Sequence, residues 1–299
     1  MARRRKGEKI DGWMVIDKPL GLSSAKVVSR IKYLTKAQKV GHGGTLDPLA
    51  SGILPIGLGE ATKTMPFIVD ATKEYAFTIR FGSATDSDDL EGAVIEDGGR
   101  IPSESEVVAV LPDFTGAIEQ VPPAYSAIKV DGKRAYKLAR DGHQVELKPR
   151  TVEIQSLSLT GFDSDAGTAD VHVSCGKGTY VRSLARDIAK ALGTCGHVTA
   201  LRRLRVGPFT LKGAISLEKL DELGHSARAV DYLCPITTAL DDIPAVAVTE
   251  PEADRIRCGQ TLQLPTAKQG TIVLMLGDTP LAVAENTDGT VKSLRVFNM

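Results

Sequence analysis

The segment KVGHGGTLDPLASGILPIGLG (residues 39–59) places a glycine-rich loop in front of an apolar run. Glycine lets a backbone adopt positive φ angles or approach a ligand closely. Residues 52–59 are apolar enough to predict a buried strand that leaves the loop. Asp47, which precedes Pro48, has two interpretations. Asp-Pro after glycines is typical of a turn, and composition alone favours this interpretation. A carboxylate held on such a loop can also act as a nucleophile.

A nucleophilic Asp47 has to stay ionised, and a nearby arginine or lysine favours the charged form of a carboxyl group. The sequence offers Arg182 on a helix predicted to begin at Thr179 or Tyr180 and to end at Gly193. The predicted buried stripe of this helix is Val181, Leu184, Ala185, Ile188 and Leu192. Arg182, Arg186 and Lys190 follow one another along a different face.

The segments around the loop predict a mixture of strands and helices. Residues 13–17 predict a strand, and an amphipathic helix with a basic outer face follows the N-cap candidates Ser23 and Ser24. Residues 73–82 and 168–175 predict two more strands, the first with its aromatic residues on one face. Because the elements follow no regular βαβ period, the sequence predicts an α+β fold.

The remaining segments predict an insert, a linker and a second domain. Residues 116–123 predict a connection that ends in two prolines, and the basic run 125–150 predicts a protruding hairpin or helix insert. Residues 233–246 predict a linker. Beyond it, short apolar runs between Gly and Asp turns predict a small β-rich domain.

The charges are segregated although the formal net charge is zero. Residues 177–205 hold seven Lys or Arg against Asp187 alone, and residues 125–150 hold seven against three acids. A third basic run lies at residues 2–9, whereas residues 81–119 hold ten acids against Arg100. Each run alone is most simply a solvated face, but three basic runs together favour a polyanionic partner.

Several other classes of site are disfavoured. Residues 57–64 (GLGEATKT) resemble a phosphate-binding loop, but Thr62 stands where that loop needs its second glycine. The acids at positions 86–91 lack the spacing of a calcium loop and favour a polar turn. The four cysteines and five histidines show no metal-ligand spacing, and a reducing compartment is expected. No apolar run is long enough to span a membrane, and the basic N-terminus lacks the apolar core of a secretion signal.

Four blocks of sequence occur together and in order. They are Asp17-Lys18-Pro19 ahead of Gly21 and Ser23-Ser24, residues 39–55 around Asp47, residues 121–129 (VPPAYSAIK) with Arg134-Ala135-Tyr136, and residues 175–187 (CGKGTYVRSLARD). In this order they resemble the opening, the catalytic segment, the thumb insert and the third motif of the TruB family of pseudouridine synthases. Gly43 departs from that pattern, since threonine is usual at this position.

The resemblance implies a pseudouridine-synthase fold, with a mixed, largely antiparallel central sheet flanked by helices. It implies a basic tail (residues 1–10), a catalytic domain (11–240) with a thumb insert at about 124–151, and a PUA-like RNA-binding domain (247–299). The implied activity is isomerisation of uridine 55 in the T-loop of tRNA, with Asp47 as nucleophile, base flipping, and neither cofactor nor metal. The implied partner is the tRNA T-arm, and a cytoplasmic monomer is expected.

The resemblance also implies roles for other side chains. Tyr75 matches the aromatic residue that packs on the flipped base, and Arg182 matches the partner of the aspartate. The other matching positions are Tyr180 and Leu201 in the base pocket, His42 in the vacated stack, and the basic residues Lys18, Lys63 and Lys129. Arg202, Arg203 and Arg205 are expected to contact phosphates. The competing hypothesis is a tRNA-binding folding factor in which catalysis is incidental or lost.

Overall fold

The computed structural model describes residues 7–126, 128–130, 132–141, 147–223 and 227–299, with the backbone alone at 129, 130, 133, 134, 139 and 227–229. The helices are α1 (Ser24–Thr35), α2 (Met65–Asp70), α3 (Glu104–Val110), α4 (Ala135–Arg140), α5 (Val181–Ala191), α6 (Leu217–Leu223) and α7 (Glu250–Arg257). The strands are β1 (Gly12–Lys18), β2 (Val40–His42), β3 (Ala50–Leu58), β4 (Lys73–Phe81), β5 (Ser83–Thr85), β6 (Val94–Asp97), β7 (Gly116–Gln120), β8 (Lys129–Val130), β9 (Lys133–Arg134), β10 (Arg150–Asp163), β11 (Thr168–Cys175), β12 (Gly196–Val206), β13 (Phe209–Thr210), β14 (Ile215–Ser216), β15 (Leu233–Cys234), β16 (Ala245–Ala247), β17 (Leu262–Gln263), β18 (Gly270–Leu276), β19 (Thr279–Thr287) and β20 (Thr290–Val296).

One large sheet of eleven strands forms the body of the molecule. Its main path runs β14-β1-β3-β12-β4-β11-β10-β7, and β13, β15 and β2 pair at its side with β12, β1 and β3. The pairs β1–β14 and β3–β12 are parallel, whereas the neighbours along β12-β4-β11-β10-β7 are antiparallel. The prediction of an α+β fold with a mixed, largely antiparallel sheet is therefore confirmed.

Helices cover the sheet because each has one apolar stripe to bury. The stripe of α5 includes Leu184 and Ile188, which pack in one buried cluster with Phe77 and Ile79 of β4. The helix α1 begins after Ser23, whose hydroxyl accepts a hydrogen bond from the Lys26 amide, as predicted. Its buried residues contact a second cluster from β1 and β3. These two clusters fix α5 and the loop before β3 against the same sheet.

A smaller sheet of five strands, ordered β16-β18-β19-β20-β17, follows the central one in sequence. Part of its apolar surface forms a core of its own, in which Ile272 and Leu274 of β18 pack with Ile256 of α7. Val283 and Phe297 belong to the same buried cluster as Trp13 of β1 and Phe209 of β13. The rings of Trp13 and Phe209 lie 5.3 Å apart between centroids. The C-terminal sheet therefore packs directly on the central one.

Two predictions about connecting segments were wrong. Residues 116–120 form strand β7, which pairs with the 14-residue strand β10; neither strand was predicted, because the double proline that follows suggested a connection. Residues 233–240 are not a linker. Cys234 pairs with Trp13, and Ile236 and Leu240 are buried in the cluster shared by the two sheets. The segment contains a proline, Pro235, but most of its apolar residues are buried.

The basic insert contains both of the structures that its sequence allowed. β8 and β9 pair as a short hairpin, and α4 follows immediately. Residues 142–146 of the insert lie outside the described residues. Within the described ranges, the chain has no helix with both the length and the apolar character that a membrane span requires.

Candidate active site

A pocket of about 320 Å³ opens where the glycine-rich loop, β4, β12 and the start of α5 meet. Five of the residues selected from the sequence line it together: Asp47, Tyr75, Tyr180, Arg182 and Leu201. The loop, the strand and the helix that carry these side chains are separated by many residues in sequence. Their convergence follows from the order of the strands, which places β12 between β3 and β4.

Asp47 and Arg182 form an ion pair in this pocket. Arg182 Nη2 lies 2.9 Å from Asp47 Oδ2, and the two side chains are 6% and 39% exposed. Tyr180 is the N-cap residue of α5, so Arg182 projects from the first turn of the helix. The predicted partnership of the two residues is present in the geometry. The guanidinium thus places a positive charge directly beside the carboxylate.

Arg182 has further acceptors that keep it in place. Its Nη1 donates to the carbonyl oxygen of Ser87 at 2.9 Å and lies 3.3 Å from Asp89 Oδ2, while Nη2 donates to the carbonyl oxygen of Tyr125 at 3.0 Å. The guanidinium is thus shared by three segments of chain. A buried arginine with several acceptors is held in one orientation.

The acidic turn (residues 86–91) supplies two of these acceptors. Asp89 Oδ1 accepts hydrogen bonds from the Ser87 hydroxyl at 2.6 Å and from the Glu91 amide at 2.9 Å. The sequence predicted a polar turn at this position, but not its contact with the active-site arginine. The repeated acids followed by a glycine were the available signal, and they do not by themselves identify an arginine partner.

Arg203 is buried and organises the loop that carries Asp47. Its Nε donates to the carbonyl oxygen of Ile53 at 2.7 Å, and Nη1 and Nη2 donate to those of Thr45 and Gly44, each at 3.2 Å. The expectation that Arg203 contacts phosphates was therefore wrong. Since only 2% of the residue is exposed, it acts from inside the protein.

The other two arginines of β12 remain at the surface, and each has an acidic partner. Arg202 Nη2 lies 2.7 Å from Asp17 Oδ2, and Arg205 Nη1 lies 3.4 Å from Glu74 Oε1. Both side chains are at least partly exposed, so they stay accessible to a ligand. Their contacts with phosphate stay predictions.

Tyr75 lies on β4 and faces both the pocket and the guanidinium of Arg203. Burial raises the pKa of the Tyr75 phenol, and the nearby Arg203 opposes that effect. The phenol therefore stays protonated at neutral pH. It offers the pocket an aromatic face and one hydroxyl.

Lys18 is buried beneath the loop and does not line the pocket. Its Nζ donates to the carbonyl oxygens of Pro19 and Leu22, each at 2.9 Å, and of Pro48 at 3.3 Å. Burial lowers the pKa of Lys18 to about 8; the charge of Asp47 opposes this and that of Arg203 adds to it. Lys18 thus ties the residue after Asp47 to the end of β1.

The other predicted basic and histidine positions lie away from the carboxylate. His42 belongs to β2; burial lowers the pKa of its imidazole, and its Nδ1 has no hydrogen-bond partner. Lys63 Nζ contacts Glu60 Oε2 at 2.6 Å and the carbonyl oxygen of Val296 at 2.7 Å, so it joins the two sheets. Lys129 lies in β8, and its side chain is outside the described part of the chain.

Ser126 and Arg150 are among the pocket residues that were not selected from the sequence. Ser126, at the root of the insert, is 3% exposed, and its hydroxyl has no hydrogen-bond partner. It lies close enough to the Tyr180 phenol to influence the pKa of that group, although the two hydroxyls make no hydrogen bond of normal geometry. Arg150, at the start of β10, lines the same wall. An unpaired buried hydroxyl is unusual enough to indicate a ligand contact.

Gly43 is required by close packing in this chain. A β-carbon at this position would lie 2.5 Å from Ile68 Cγ2 and 3.4 Å from Trp13 Cζ3. Glycine instead of threonine at position 43 therefore leaves room for the isoleucine that occupies this space.

Among the described residues, no group of three or more His, Cys, Asp or Glu side chains is arranged to hold a metal ion.

Comparison with known proteins places this site in a family. Residues 32–181 match the model of the TruB family pseudouridylate synthase N-terminal domain, and residues 182–241 match that of the tRNA pseudouridylate synthase B C-terminal domain. The boundary between the two models falls in the first turn of α5, and β11 before it and β12 after it belong to the same sheet.

Two relatives illustrate the similarity. The tRNA pseudouridine synthase B of Caulobacter sp. (strain K31) is 48% identical over 310 residues, with full coverage of both chains. That of Gluconacetobacter diazotrophicus is 55% identical over 263 residues, covering 88% of this chain and 86% of the relative.

A solved structure of a Cbf5-Nop10-Gar1 complex contains a chain that superimposes with a TM-score of 0.73 at 26% identity. The match covers 96% of this chain and 83% of that one. The fold and the pocket thus define a pseudouridine synthase, an enzyme of the isomerase class. The sequence matches narrow this class further. The chain belongs to the TruB family, and both relatives described above are tRNA pseudouridine synthases B.

Proposed function

We propose that the protein converts uridine 55 in the T-loop of tRNA to pseudouridine, with Asp47 as the nucleophile. The observation that carries this proposal is the contact of the accessible Asp47 carboxylate with the buried Arg182 guanidinium at 2.9 Å, in a pocket with an aromatic wall. The volume of about 320 Å³ is typical of sites for small molecules, and we infer that it receives one extruded nucleotide.

The proposed reaction is a rearrangement within one nucleotide. Asp47 attacks the target nucleotide, the glycosidic C–N bond breaks, and uracil rotates while it stays in the pocket. A bond then forms between ribose C1′ and uracil C5 and displaces the Asp47 carboxylate, C5 loses its proton to water, and N1 takes up a proton. Arg182 places its positive charge beside the attacking carboxylate and holds it in position. The atoms of the nucleoside are conserved, so the pathway uses no redox step.

The target base has to leave its stack before the pocket can receive it. Extrusion of a base costs a few kcal/mol, and stacking on an aromatic ring recovers about 1–3 kcal/mol. We assign that stacking to Tyr75, and the walls beside the base to Tyr180 and Leu201. Ser126, with its unpaired hydroxyl, is placed to receive a polar group of the nucleotide.

The remaining roles concern RNA outside the pocket. A groove of about 540 Å³ shares Leu201 with the pocket and includes Arg202 in its lining; we propose that it receives the T-arm. His42 is assigned to the vacated stack, and Lys63 and Lys129 to supporting contacts. The basic insert, residues 124–151, is proposed to contact phosphates.

The domain assignment belongs to this proposal as well. We assign residues 11–240 to catalysis and residues 247–299 to a PUA-like RNA-binding domain, after a basic tail at residues 1–10. A monomer acting in the cytoplasm without cofactor or metal completes the proposal. A tRNA-binding folding factor would use the same surfaces without turnover.

Release of tritium from tRNA labelled with [5-³H]uridine tests the chemistry, since formation of the C–C bond expels the C5 proton. Wild type should release tritium, and Asp47→Asn should reduce the rate by at least about 10⁴-fold, because the nucleophile is lost. Asp165→Asn, in the turn between β10 and β11, is the matched control and should retain the wild-type rate. Turnover by Asp47→Asn at the wild-type rate would disprove the nucleophile assignment.

The target position is tested separately with a tRNA that carries cytidine at position 55. This substrate should release no tritium, whereas a tRNA with cytidine at another uridine position should behave normally. Release from the first substrate would locate the modified uridine elsewhere. If wild type binds tRNA but releases no tritium from any substrate, the folding-factor hypothesis replaces the enzymatic one.

A further inference from the structure

Helix α5 carries a second arginine, Arg186, one turn beyond Arg182 and on the same side. Each arginine reaches the acidic turn in one direction and the start of the basic insert in the other. We call residues 121–126 the insert root. The two side chains lie four residues apart, which is the spacing of neighbours along one helix face. They therefore form two parallel links between the same two segments.

The contacts of Arg186 mirror those of Arg182. Arg186 Nη1 lies 2.8 Å from Asp88 Oδ2 in the acidic turn, and Nη2 donates to the carbonyl oxygen of Val121 at 2.9 Å in the insert root. Its Nε lies 2.9 Å from Asp187 Oδ1. The hydroxyl of Ser183 donates to the same Val121 carbonyl at 2.8 Å. Every polar contact of Arg186 is thus made within the protein.

The link between Arg186 and Asp88 is shielded from water. The two side chains are 18% and 13% exposed. The backbone of Asp88 is in the left-handed region at φ 61°, and its carbonyl oxygen accepts a hydrogen bond from the Val198 amide at 3.0 Å. An ion pair that is mostly buried costs little when complete and much when one partner is removed. Removal of Arg186 would therefore disturb the turn on which Asp89 stands.

Arg186 itself does not line the pocket and makes no contact with Asp47. Both segments that it contacts also hold Arg182, which depends on Ser87 and Asp89 on one side and on Tyr125 on the other. If the acidic turn and the insert root separate, Arg182 loses acceptors on both sides. The orientation of its guanidinium toward Asp47 then depends on the Asp47 contact alone.

We propose that Arg186, through Asp88 and Val121, is a positioning residue that sets the separation of the acidic turn from the insert root and thereby holds Arg182 against Asp47. This inference rests on the proposed function, because its catalytic consequence requires Asp47 to be the nucleophile. It also couples the insert to the pocket: movement of the insert root on RNA binding reaches Arg182 through Tyr125 and through Arg186 together.

The test compares Arg186→Gln, Arg186→Lys and Asp88→Asn with Lys190→Gln, a control one turn further along α5. Arg186→Gln and Asp88→Asn should lower the single-turnover rate of tritium release by about 10- to 100-fold, as expected for a displaced catalytic group. The dissociation constant for tRNA should change by no more than about threefold, a small shift on the logarithmic affinity scale. Arg186→Lys retains a cation for Asp88 and should fall between wild type and Arg186→Gln.

A double variant, Asp88→Asn with Arg186→Gln, separates this role from a general loss of stability. If the two residues act through one link, the rate of the double variant should be close to that of the more impaired single variant. Multiplication of the two separate losses would overturn the proposal. An unchanged single-turnover rate in Arg186→Gln, measured per folded molecule, would overturn it as well.

Amide hydrogen exchange provides a readout that does not need turnover. Arg186→Gln should increase exchange both in residues 85–91 and at Tyr125 and Ser126, whereas Lys190→Gln should leave both segments as in wild type. If Arg186→Gln increases the exchange rate in neither segment, the structural link is refuted. If wild type itself shows no tritium release, the proposed function fails, and the exchange result still decides whether Arg186 joins the two segments.

Discussion

The guanidinium of Arg182 is almost entirely buried, whereas the carboxylate of Asp47 that it contacts remains open to the pocket. Burial of the Arg182 charge carries a desolvation cost, and Asp89 and two backbone carbonyl oxygens offset that cost. The aspartate keeps its accessible oxygen for a ligand. This asymmetry suits the proposed roles, in which Arg182 is the fixed support and Asp47 is the reacting group.

Neutralising Asp89 should loosen that support without changing the pocket wall. In Asp89→Asn we expect kcat to fall by about 10- to 100-fold, because Arg182 loses one of its two charged partners and shifts relative to Asp47. KM for tRNA should change little. Steady-state kinetics on tRNA measure both quantities. Glu119→Gln, on the edge strand β7, is the control, and equal losses in the two variants would argue against a specific role for Asp89.

Adding a methyl group at position 43 should destabilise the protein. In Gly43→Ala the new carbon would meet Ile68, and we expect the free energy of unfolding to fall by about 1–3 kcal/mol. Urea denaturation measures this change. Gly213→Ala is the control, since a β-carbon there meets no atom within 4 Å. In the background of Ile68→Ala the cost of Gly43→Ala should shrink; an unchanged cost would locate the strain elsewhere.

Lys18 should impart a pH dependence to stability. Its folded-state pKa of about 8 lies below the ordinary 10.5, so between these values the unfolded chain holds a proton that the folded chain has released. The free energy of unfolding due to this group therefore rises with pH across that window. Relative to Lys18→Met, wild type should gain stability from pH 8 to pH 10.

The same pair of proteins contains its own control. Below pH 7 both states of wild type hold the proton, so the difference in unfolding free energy between wild type and Lys18→Met should not vary with pH. In this range we expect wild type to be more stable than Lys18→Met by a constant amount of about 2–4 kcal/mol, because three buried carbonyl oxygens lose their donor in the variant. A difference that falls with rising pH would contradict the assignment.

Ser126→Ala should separate binding from folding. The hydroxyl has no partner in the protein, so its removal should leave the free energy of unfolding unchanged or raise it slightly. If the hydroxyl contacts the nucleotide, KM should rise by about 2- to 12-fold, the worth of one neutral hydrogen bond. Ser126→Thr, which retains the hydroxyl, is the companion variant. An unchanged KM in Ser126→Ala would remove this residue from the binding site.

The insert should contribute to the salt dependence of tRNA binding. Lys137 and Arg140 are exposed on α4, and Arg140 lies 6.0 Å from the ring centre of Tyr136. In Lys137→Gln with Arg140→Gln, the slope of log K against log salt should become shallower by up to about 2, if both contact phosphates. Lys219→Gln on α6 is the control. An unchanged slope would show that α4 does not touch the RNA backbone.

Local patterns offered Asp47 and Arg182 as candidates, although composition favoured a turn at Asp47, and the resemblance to the TruB family added Tyr75, Tyr180 and Leu201. Asp47 follows glycines, Tyr75 begins an alternating strand, and Arg182 stands on the first turn of an amphipathic helix. Their common location came from the family resemblance, and the strand order confirms it. The α+β class likewise followed from the succession of elements.

What sequence reasoning missed depends on contacts that are distant along the chain. Arg202, Arg203 and Arg205 look alike in the sequence. Alternation along β12 separates Arg203 from Arg202, and a register shift between Arg203 and Arg205 breaks the alternation that would give these two the same orientation. The sequence around Asp88 and Asp89 predicted a solvated turn, because their arginine partners lie about one hundred residues further along the chain. Strand β7 was hidden by the prolines that follow it.

The apolar cluster shared by the two sheets joins them, although the C-terminal sheet also has a core of its own. Trp13 belongs to the shared cluster with Val283 and Phe297, and a β-carbon at Gly43 would lie 3.4 Å from Trp13 Cζ3. A protein shortened at residue 244 would expose this indole to water directly beneath the loop of Asp47. The C-terminal sheet therefore helps to bury the indole against which Gly43, four residues before Asp47, is packed.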